Sequence, residues 1–207
     1  MIRVLFVGDG PRDAACLPPL VIVAVKMTIE SHFRAWRDFR VGGYERKVLF
    51  AIRVARDEKL AGLVAVVDSD KERPRDRLRK LRAGREKDRV RSAPLPTALG
   101  EARPHVEAWL LDDVAALREV LQLPAETKVP TIRQVQGNPK AAIEKLVSTV
   151  MTLNAAEDAA NETSFLTALE VIAERLDQAR CTHAKETGFE EFLEDLRHEF
   201  RILESGG

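Results

Sequence analysis

Short apolar runs, each closed by turn-forming residues, punctuate the first half of the chain and predict strands. The four predicted strands are Val4–Val7, Trp36–Val41, Leu63–Val67 and Ala93–Leu99. The third run holds only apolar residues, which is typical of a central strand in a parallel sheet that helices cover on both faces. Pro94 and Pro96 place the last strand at a sheet edge or confine it to its final residues.

Elsewhere, apolar residues recur at steps of three and four, which predicts amphipathic helices. The first two helices are expected at Asp13–His32 and Lys47–Leu60, although Pro18-Pro19 limits the regular part of the first. From residue 106 onward the pattern is helical, and Asn138-Pro139 is a capping residue followed by proline at a helix start.

These elements predict an α/β fold in which a mostly parallel sheet is flanked by helices and followed by an α-helical C-terminal extension. We expect an α/β domain at residues 1–123 and a helical extension at residues 124–207 packed on it, joined through Pro124–Gly137. A length of 207 residues suits such a unit and excludes a large multidomain machine.

Aspartates follow two of the predicted strands where each strand ends. Asp9 and Asp13 lie in the turn after the first strand, and Asp68 and Asp70 come directly after the third. Ligands of open α/β sheets bind outside the carboxyl ends of the strands, so we expect the four acids to converge. Because they would repel one another, a hard divalent cation such as Mg²⁺ is the expected partner. Such aspartates also serve as helix N-caps, and capping alone stays open as the alternative.

The segments Val7–Asp13 and Val66–Asp70 resemble the two signature motifs of Toprim domains, the fold shared by topoisomerases, primases and several nucleases. In that family an apolar strand precedes a glutamate, a glycine and an aspartate four positions after the glutamate, and Asp-x-Asp follows a second strand. Within it, the chain is most similar to the small stand-alone bacterial proteins grouped as domain of unknown function 4276. Their Glu-x-Trp-Leu-Leu-x-Asp stretch is matched by Glu107–Asp113.

The resemblance implies a Toprim/Rossmann-like fold and Mg²⁺- or Mn²⁺-dependent cleavage of phosphodiester bonds in DNA or RNA, for instance in defence against foreign nucleic acid. It makes Asp13, Asp68 and Asp70 metal ligands and Asp9 a ligand or the general acid/base. A helical projection places Glu107 at the edge of an apolar stripe, where it is either an additional acid that faces the sheet end or a rim glutamate on a surface helix. Where the family has glutamate, Asp9 is one methylene shorter, which displaces the carboxylate by roughly 1 Å, enough to lose much of the rate.

Two alternatives to an active nuclease therefore stay open. One is a Toprim-fold binding or regulatory module that has lost catalysis and docks nucleic acid or a protein partner. The other is a receiver-like phosphoacceptor, with Asp68 as the acceptor and Asp9 beside a Mg²⁺. That alternative needs a later strand ending in a lysine, which the pattern does not show.

Charge is balanced overall, with 33 basic and 33 acidic residues, but it is unevenly distributed. Residues 71–91 contain eleven Lys or Arg and four acids, a local charge of +7 directly after the second aspartate pair. We expect Arg73, Arg75, Arg79 and Arg82 to contact the phosphates of a polynucleotide. The alternative is a solvated helix whose charges pair internally. The net charge of zero is a cancellation, and it does not exclude a nucleic-acid partner.

Cysteine usage and hydropathy set the expected compartment. Cys16 and Cys181 lie far apart without a Cys-x-x-Cys motif, which indicates neither a disulfide framework nor a structural zinc site. The longest apolar run, Leu20–Val25, is too short to span a bilayer, and the N-terminus does not resemble a signal peptide. We expect a cytoplasmic protein that binds nucleic acid, has no membrane partner, and pairs with a protein partner or a second copy of itself.

Overall fold

Four parallel strands form one sheet in the computed structural model, which describes residues 1–69, 73–90, 93–135, 137–154 and 162–204. The strands are β1 (Ile2–Gly8), β2 (Ile29–Ala35), β3 (Gly62–Asp68) and β4 (Thr97–Ala102). Their order across the sheet is β2-β1-β3-β4, and every neighbouring pair is parallel. The predicted α/β class and parallel sheet are thus confirmed.

Helices flank this sheet and follow it. Those within the described residues are α1 (Pro11–Val25), α2 (Tyr44–Asp57), α3 (Asp76–Arg89), α4 (Glu107–Asp112), α5 (Val114–Leu121), α6 (Pro139–Asn154), α7 (Glu162–Arg175), α8 (Ala184–Thr187) and α9 (Phe189–Glu204). In the same part of the chain, no helix has both the length and the apolar character needed to cross a membrane.

Alternate residues of each strand face two separate hydrophobic cores, as the pleat of a strand requires. On β1, Leu5 and Val7 face α2 and α3, whereas Val4 and Phe6 face α1 and the helices that follow β4. β1 leads through α1 to β2 on one side, and the chain then continues through α2 to β3 on the other. The carboxyl ends of β1 and β3 therefore flank the switch point of the sheet, where open α/β sheets bind ligands.

The second strand lies earlier than the pattern predicted. β2 ends at Ala35, and Trp36–Asp38 forms a short 3-10 turn after it, so the prediction of a strand at residues 36–41 is wrong. The first helix ends at Val25, and His32 belongs to β2. β2 is an edge strand with several exposed side chains, so it lacks the apolar run of a buried strand. The apolar Trp36 instead lies under the end of the sheet, where its Nε1 donates to the Val66 carbonyl at 2.7 Å.

The other predicted elements lie closer to their expected places. α1 begins at Pro11 and continues through Pro18 and Pro19, which are both buried inside it. β4 is at the sheet edge and begins only after the two prolines that precede it. The Asn138 side chain accepts a hydrogen bond from the Ala141 amide at 3.0 Å and caps α6, as predicted.

The C-terminal helices share a hydrophobic core with the sheet. Phe192 of α9 packs over Gly100 of β4, and a Cβ atom at residue 100 would lie 2.7 Å from the Phe192 ring. On its other side Phe192 stacks on Trp109 of α4, with ring centroids 5.2 Å apart. α9 can therefore lie this close to β4 because residue 100 has no side chain.

Carboxylates of α9 also cover the free edge of β4. The Leu99 amide donates to Asp195 Oδ2 at 2.8 Å, and the Thr97 amide donates to Glu199 at 3.3 Å. Arg85 of α3 donates to the same Asp195 oxygen at 2.6 Å, and the two side chains are at most one-tenth exposed. An edge strand presents unpaired amides to other chains, and these carboxylates close that edge within the molecule.

We predict that Asp195→Ala lowers the free energy of unfolding by about 3 kcal/mol, because it leaves the buried Arg85 guanidinium without its closest partner. Urea unfolding followed by circular dichroism measures the change. The matched control is Glu194→Ala on the exposed side of the same helix, expected to change stability by less than about 0.5 kcal/mol. Equal losses in the two variants would contradict the structural role given to Asp195.

Candidate functional site

A small pocket lies at the switch point, outside the carboxyl ends of β1 and β3. Its volume is about 190 Å³. Four acidic and two basic side chains line it. The lining residues are Asp9, Gly10, Pro11, Arg12, Asp13, Asp68, Glu107 and Lys140. Three of the four aspartates predicted at the strand ends therefore meet in one pocket, and Glu107 joins them, whereas Asp70 lies outside the described residues.

The turn from β1 into α1 places the first two acids. Asp9 directly follows β1, and Asp13 lies in the first turn of α1, buried against Gly8. A Cβ atom at residue 8 would lie 2.6 Å from Cβ of Asp13, so a glycine is needed for this approach. The Asp9 amide donates to Asp13 Oδ2, and Asp9 Oδ2 accepts from the Asp68 amide at 3.3 Å. Asp9 is thus fixed between the ends of two strands.

Neither strand-end motif acts as a simple helix cap. The N-cap residue of α1 is Gly10 and that of α3 is Arg75, each without a capping bond from its own side chain. The buried carboxylate of Glu101 on β4 accepts instead from the amides of Arg75 and Arg77 at the start of α3. Capping alone therefore does not account for Asp9 and Asp68.

The pKa of Asp13 is strongly shifted by its surroundings in the pocket. Burial raises its pKa from 3.8 to about 8, with further raising contributions from the charges of Asp68, Asp9 and Glu107. The hydrogen bond from the Asp9 amide acts in the opposite direction and is outweighed. A carboxyl group with this pKa is largely protonated at neutral pH, and a nearby cation would favour its ionised form.

Asp68 lies at the centre of the polar contacts. Its Oδ2 is 2.7 Å from His105 Nδ1 and accepts a hydrogen bond from Lys140 Nζ at 3.1 Å. Its Oδ1 is buried and has no hydrogen-bond partner within the described part of the chain. Burial lowers the pKa of Lys140, but the charge and hydrogen bond of Asp68 and the charges of Glu107 and Asp13 together raise it by more, so the net shift is upward.

Arg12 forms the other cationic side of the pocket. Its guanidinium donates to Glu107 at 3.2 Å and to Glu144 of α6, and it lies 5.2 Å from the ring centroid of Phe165. The Glu107 side chain is almost fully buried. This arrangement neutralises Glu107 and fixes the Arg12 side chain beside Asp13, so the pocket can offer a guanidinium to an anion.

The carboxylates fit a divalent cation in their chemistry, because aspartate oxygens are preferred ligands of Mg²⁺ and Asp68 Oδ1 has no partner among the residues that the structure describes. They are not arranged as a complete ligand set, however. Among the described residues, no group of three or more His, Cys, Asp or Glu side chains is placed to hold a metal ion. Metal binding would therefore need the side chains to move or a ligand from the residues next to Asp68 that lie outside the described ranges.

The four arginines that the sequence assigned to phosphate binding lie on or next to α3, away from the lining of this pocket. Arg75 and Arg82 form ion pairs with Glu191 of α9, at 3.4 and 3.1 Å. Arg79 pairs with Asp76 at 3.1 Å, and Arg73 is exposed. Three of the four are thus committed to carboxylates of the chain itself.

Three basic side chains of the site had no role in the sequence-based hypothesis. His105 follows β4, so the rule that strand ends carry functional residues could have indicated it. Arg12 lies inside the first motif, between two of the predicted acids. Lys140 lies 72 residues after Asp68, and only the docking of α6 brings it to the pocket. It belongs to α6, so it is not the strand-end lysine that the phosphoacceptor alternative requires.

Comparisons of this chain with protein-family models, with curated proteins and with solved structures give no match. The resemblance to Toprim domains therefore depends on the two short motifs and stays a prediction.

The raised pKa of Asp13 predicts a pH dependence of stability. The folded chain holds a proton on Asp13 that the unfolded chain releases near pH 3.8. The free energy of unfolding should therefore fall as the pH rises towards 8, with a slope of up to about 1.4 kcal/mol per pH unit, and level off above it. Asp13→Asn should remove this fall. Urea unfolding in EDTA from pH 5 to pH 9 measures both profiles.

The control for this experiment is Asp57→Asn, which changes an exposed carboxylate outside the pocket. We expect it to keep the wild-type profile. A wild type whose stability stays constant or rises between pH 5 and pH 8 relative to Asp13→Asn would show that Asp13 is ionised in the folded protein.

Proposed function

We propose that this chain is a Mg²⁺- or Mn²⁺-dependent enzyme that cleaves phosphodiester bonds of DNA or RNA. The observation that carries the proposal is the convergence of Asp9, Asp13 and Asp68 on one pocket at the switch point, with one buried Asp68 oxygen that has no partner in the described residues. A buried carboxylate oxygen that has no partner in the described residues, with other acids close by, is suited to a cation. The likeness of the two acidic motifs to those of Toprim nucleases supports the same reaction class.

In this proposal Asp68 and Asp13 would hold the cation, with Asp70 and Glu107 as additional acids. A divalent cation would supply charge stabilisation to the phosphoryl group and acidify a water molecule. Asp13 has to be ionised for this role, and at neutral pH it gives up its proton when a positive charge comes close. Asp9 is fixed by the Asp68 amide at 3.3 Å and is the candidate for proton transfer to or from the scissile group.

In this proposal the basic side chains of the pocket bind the phosphate groups of the substrate. Lys140 and Arg12 approach the carboxylates from α6 and α1 and can contact phosphate oxygens that the acids alone would repel. Lys140 pairs with Asp68 when no cation is present, and a divalent cation held by Asp68 would release Lys140 to contact a phosphate oxygen.

A second candidate is the binding or regulatory module. It is favoured by the incomplete ligand set among the described side chains and by the short side chain of Asp9 in the place of a glutamate. Such a module would bind nucleic acid or a protein partner at the same surface without turnover.

We predict Mg²⁺- or Mn²⁺-dependent nicking of supercoiled plasmid or cleavage of labelled RNA, abolished by EDTA. Asp68→Asn should lower the rate at least about 100-fold, because several kcal/mol of charge stabilisation depend on the ligand. Asp57→Asn, purified in parallel, is the matched control and should keep the wild-type rate. Cleavage that survives in Asp68→Asn would point to a contaminating nuclease, and an inactive metal-loaded wild type that still binds nucleic acid would favour the second candidate.

The short side chain of Asp9 gives a separate prediction. Asp9→Glu restores the family's residue and extends the carboxylate by one methylene towards the scissile group. We expect a rate increase of about tenfold, since a displacement of this size strongly changes the rate of a directly acting group. Single-turnover cleavage separates this effect from substrate binding. An unchanged or lower rate in Asp9→Glu would mean that residue 9 does not act directly on the reacting atoms.

A further inference from the structure

The basic residues of α3 are largely neutralised by other parts of the chain. Their partners are three carboxylates of α9 and one of α2. The pairs are Arg75 and Arg82 with Glu191, Arg85 with Asp195, Arg89 with Glu199 and Lys87 with Glu45. The strongly basic stretch of the sequence is therefore a weaker attractor of phosphate in the folded protein than its composition indicates.

A second group of arginines lies elsewhere on the surface, in residues 36–47. This segment begins directly after β2 and includes the first turn of α2. We call this segment the basic loop. Arg37, Arg40 and Arg46 are exposed, and in the described residues none of them forms an ion pair or a side-chain hydrogen bond. Three cations that lie close together in sequence thus remain available to solvent.

The acids of the basic loop offset this charge only in part, because the segment contains two acids and four basic residues. Asp38 turns back to accept a hydrogen bond from the Ala35 amide at 2.8 Å. Glu45 pairs with Lys87 of α3. Lys47 donates to the Trp36 carbonyl at 3.0 Å, which holds the loop against the start of α2. The loop is therefore anchored by its own polar contacts, and its three arginines point to no partner inside the described fold.

Contacts link the basic loop to the carboxylate pocket. Trp36 crosses the carboxyl end of β1 and donates to the Val66 carbonyl of β3 at 2.7 Å. The Tyr44 ring lies 5.5 Å from the Arg77 guanidinium, and Arg77 in turn donates to the Asp68 carbonyl at 2.6 Å. One end of the loop is thus a single side chain away from Asp68.

The carboxylate pocket itself repels phosphate, since its acids outnumber Arg12 and Lys140. A polynucleotide that reaches the pocket needs cations on the surface beside it, and arginine is well suited to phosphate because its planar guanidinium binds two oxygens at once. We propose that the basic loop, through Arg37, Arg40 and Arg46, holds the sugar-phosphate backbone of a polynucleotide at the mouth of the pocket. This inference rests on the proposed nuclease function, but it concerns binding and can be tested without cleavage.

The test measures the binding of fluorescently labelled single-stranded and duplex DNA and RNA oligonucleotides by anisotropy. The full chain carrying Asp68→Asn serves as the background, in EDTA, so that cleavage does not interfere. Adding Arg37→Gln, Arg40→Gln and Arg46→Gln should lower the affinity roughly 100-fold near 0.1 M salt and reduce the slope of log affinity against log salt by about two to three.

The matched control removes three charges from the surface that the sequence favoured, by Arg73→Gln, Arg79→Gln and Arg82→Gln in the same background. We expect the slope of log affinity against log salt to fall in this control by less than a third of its fall in the basic-loop variant. An equal or larger loss in the control would overturn the inference and assign the contact to α3. A background protein that binds no oligonucleotide, including one that binds an acidic protein instead, would overturn it as well. Circular dichroism and urea unfolding check that both variants are folded.

The two proposals fail in different ways. If the arginine substitutions in the basic loop abolish salt-dependent binding and the wild type does not cleave, the binding role of the loop is supported and the nuclease proposal is contradicted. Cleavage that depends on Asp68 but is unaffected by the loop substitutions at limiting substrate supports the nuclease and contradicts the basic loop.

Discussion

The carboxylate of Asp68 is contacted by side chains from two parts of the chain that are distant in sequence. His105 reaches it from the turn after β4, and Lys140 reaches it from α6. The backbone of the same residue donates to Asp9 and accepts from Arg77 of α3. A buried carboxylate is costly unless it is paired, so these contacts hold four elements at one point of the sheet. Its second oxygen has no partner in the described residues, so it is the atom of this carboxylate that would contact the cation in the proposed function.

The pairing of α3 with α9 shows why charge along a sequence differs from charge on a surface. α3 carries an excess of positive charge and α9 an excess of negative charge, and the fold brings the two helices together over the edge of β4. Asp195 and Glu199 use their oxygens twice, once for the amides of the edge strand and once for the arginines of α3. The positive potential at the surface then comes mainly from exposed cations without such a partner in the described residues. The basic loop carries three of them.

Elements that are fixed by local sequence patterns could be predicted, whereas contacts that depend on how distant elements pack together could not. β1 and β3 are apolar runs followed by turn residues, so their ends and the acids Asp9, Asp13 and Asp68 could be placed in advance. β2 could not, because an edge strand with exposed polar residues has no apolar run to mark it. Lys140 lies far along the chain, and the position of α6 on the sheet is set by packing among several helices. The partners of Arg75 and Arg82 are missing from the prediction for the same reason.

The helices after residue 123 are part of the candidate site and not only an attachment to it. Lys140 contacts Asp68, and Glu144, one turn further along α6, contacts Arg12. Without α6 the pocket would keep its acids, lose the cation that neutralises Asp68 and lose one of the two carboxylates that orient Arg12. The acids would then repel one another more strongly, which raises the free energy of the folded state. The carboxylates at the switch point of this sheet therefore depend on α6 of the helical extension for part of their electrostatic balance.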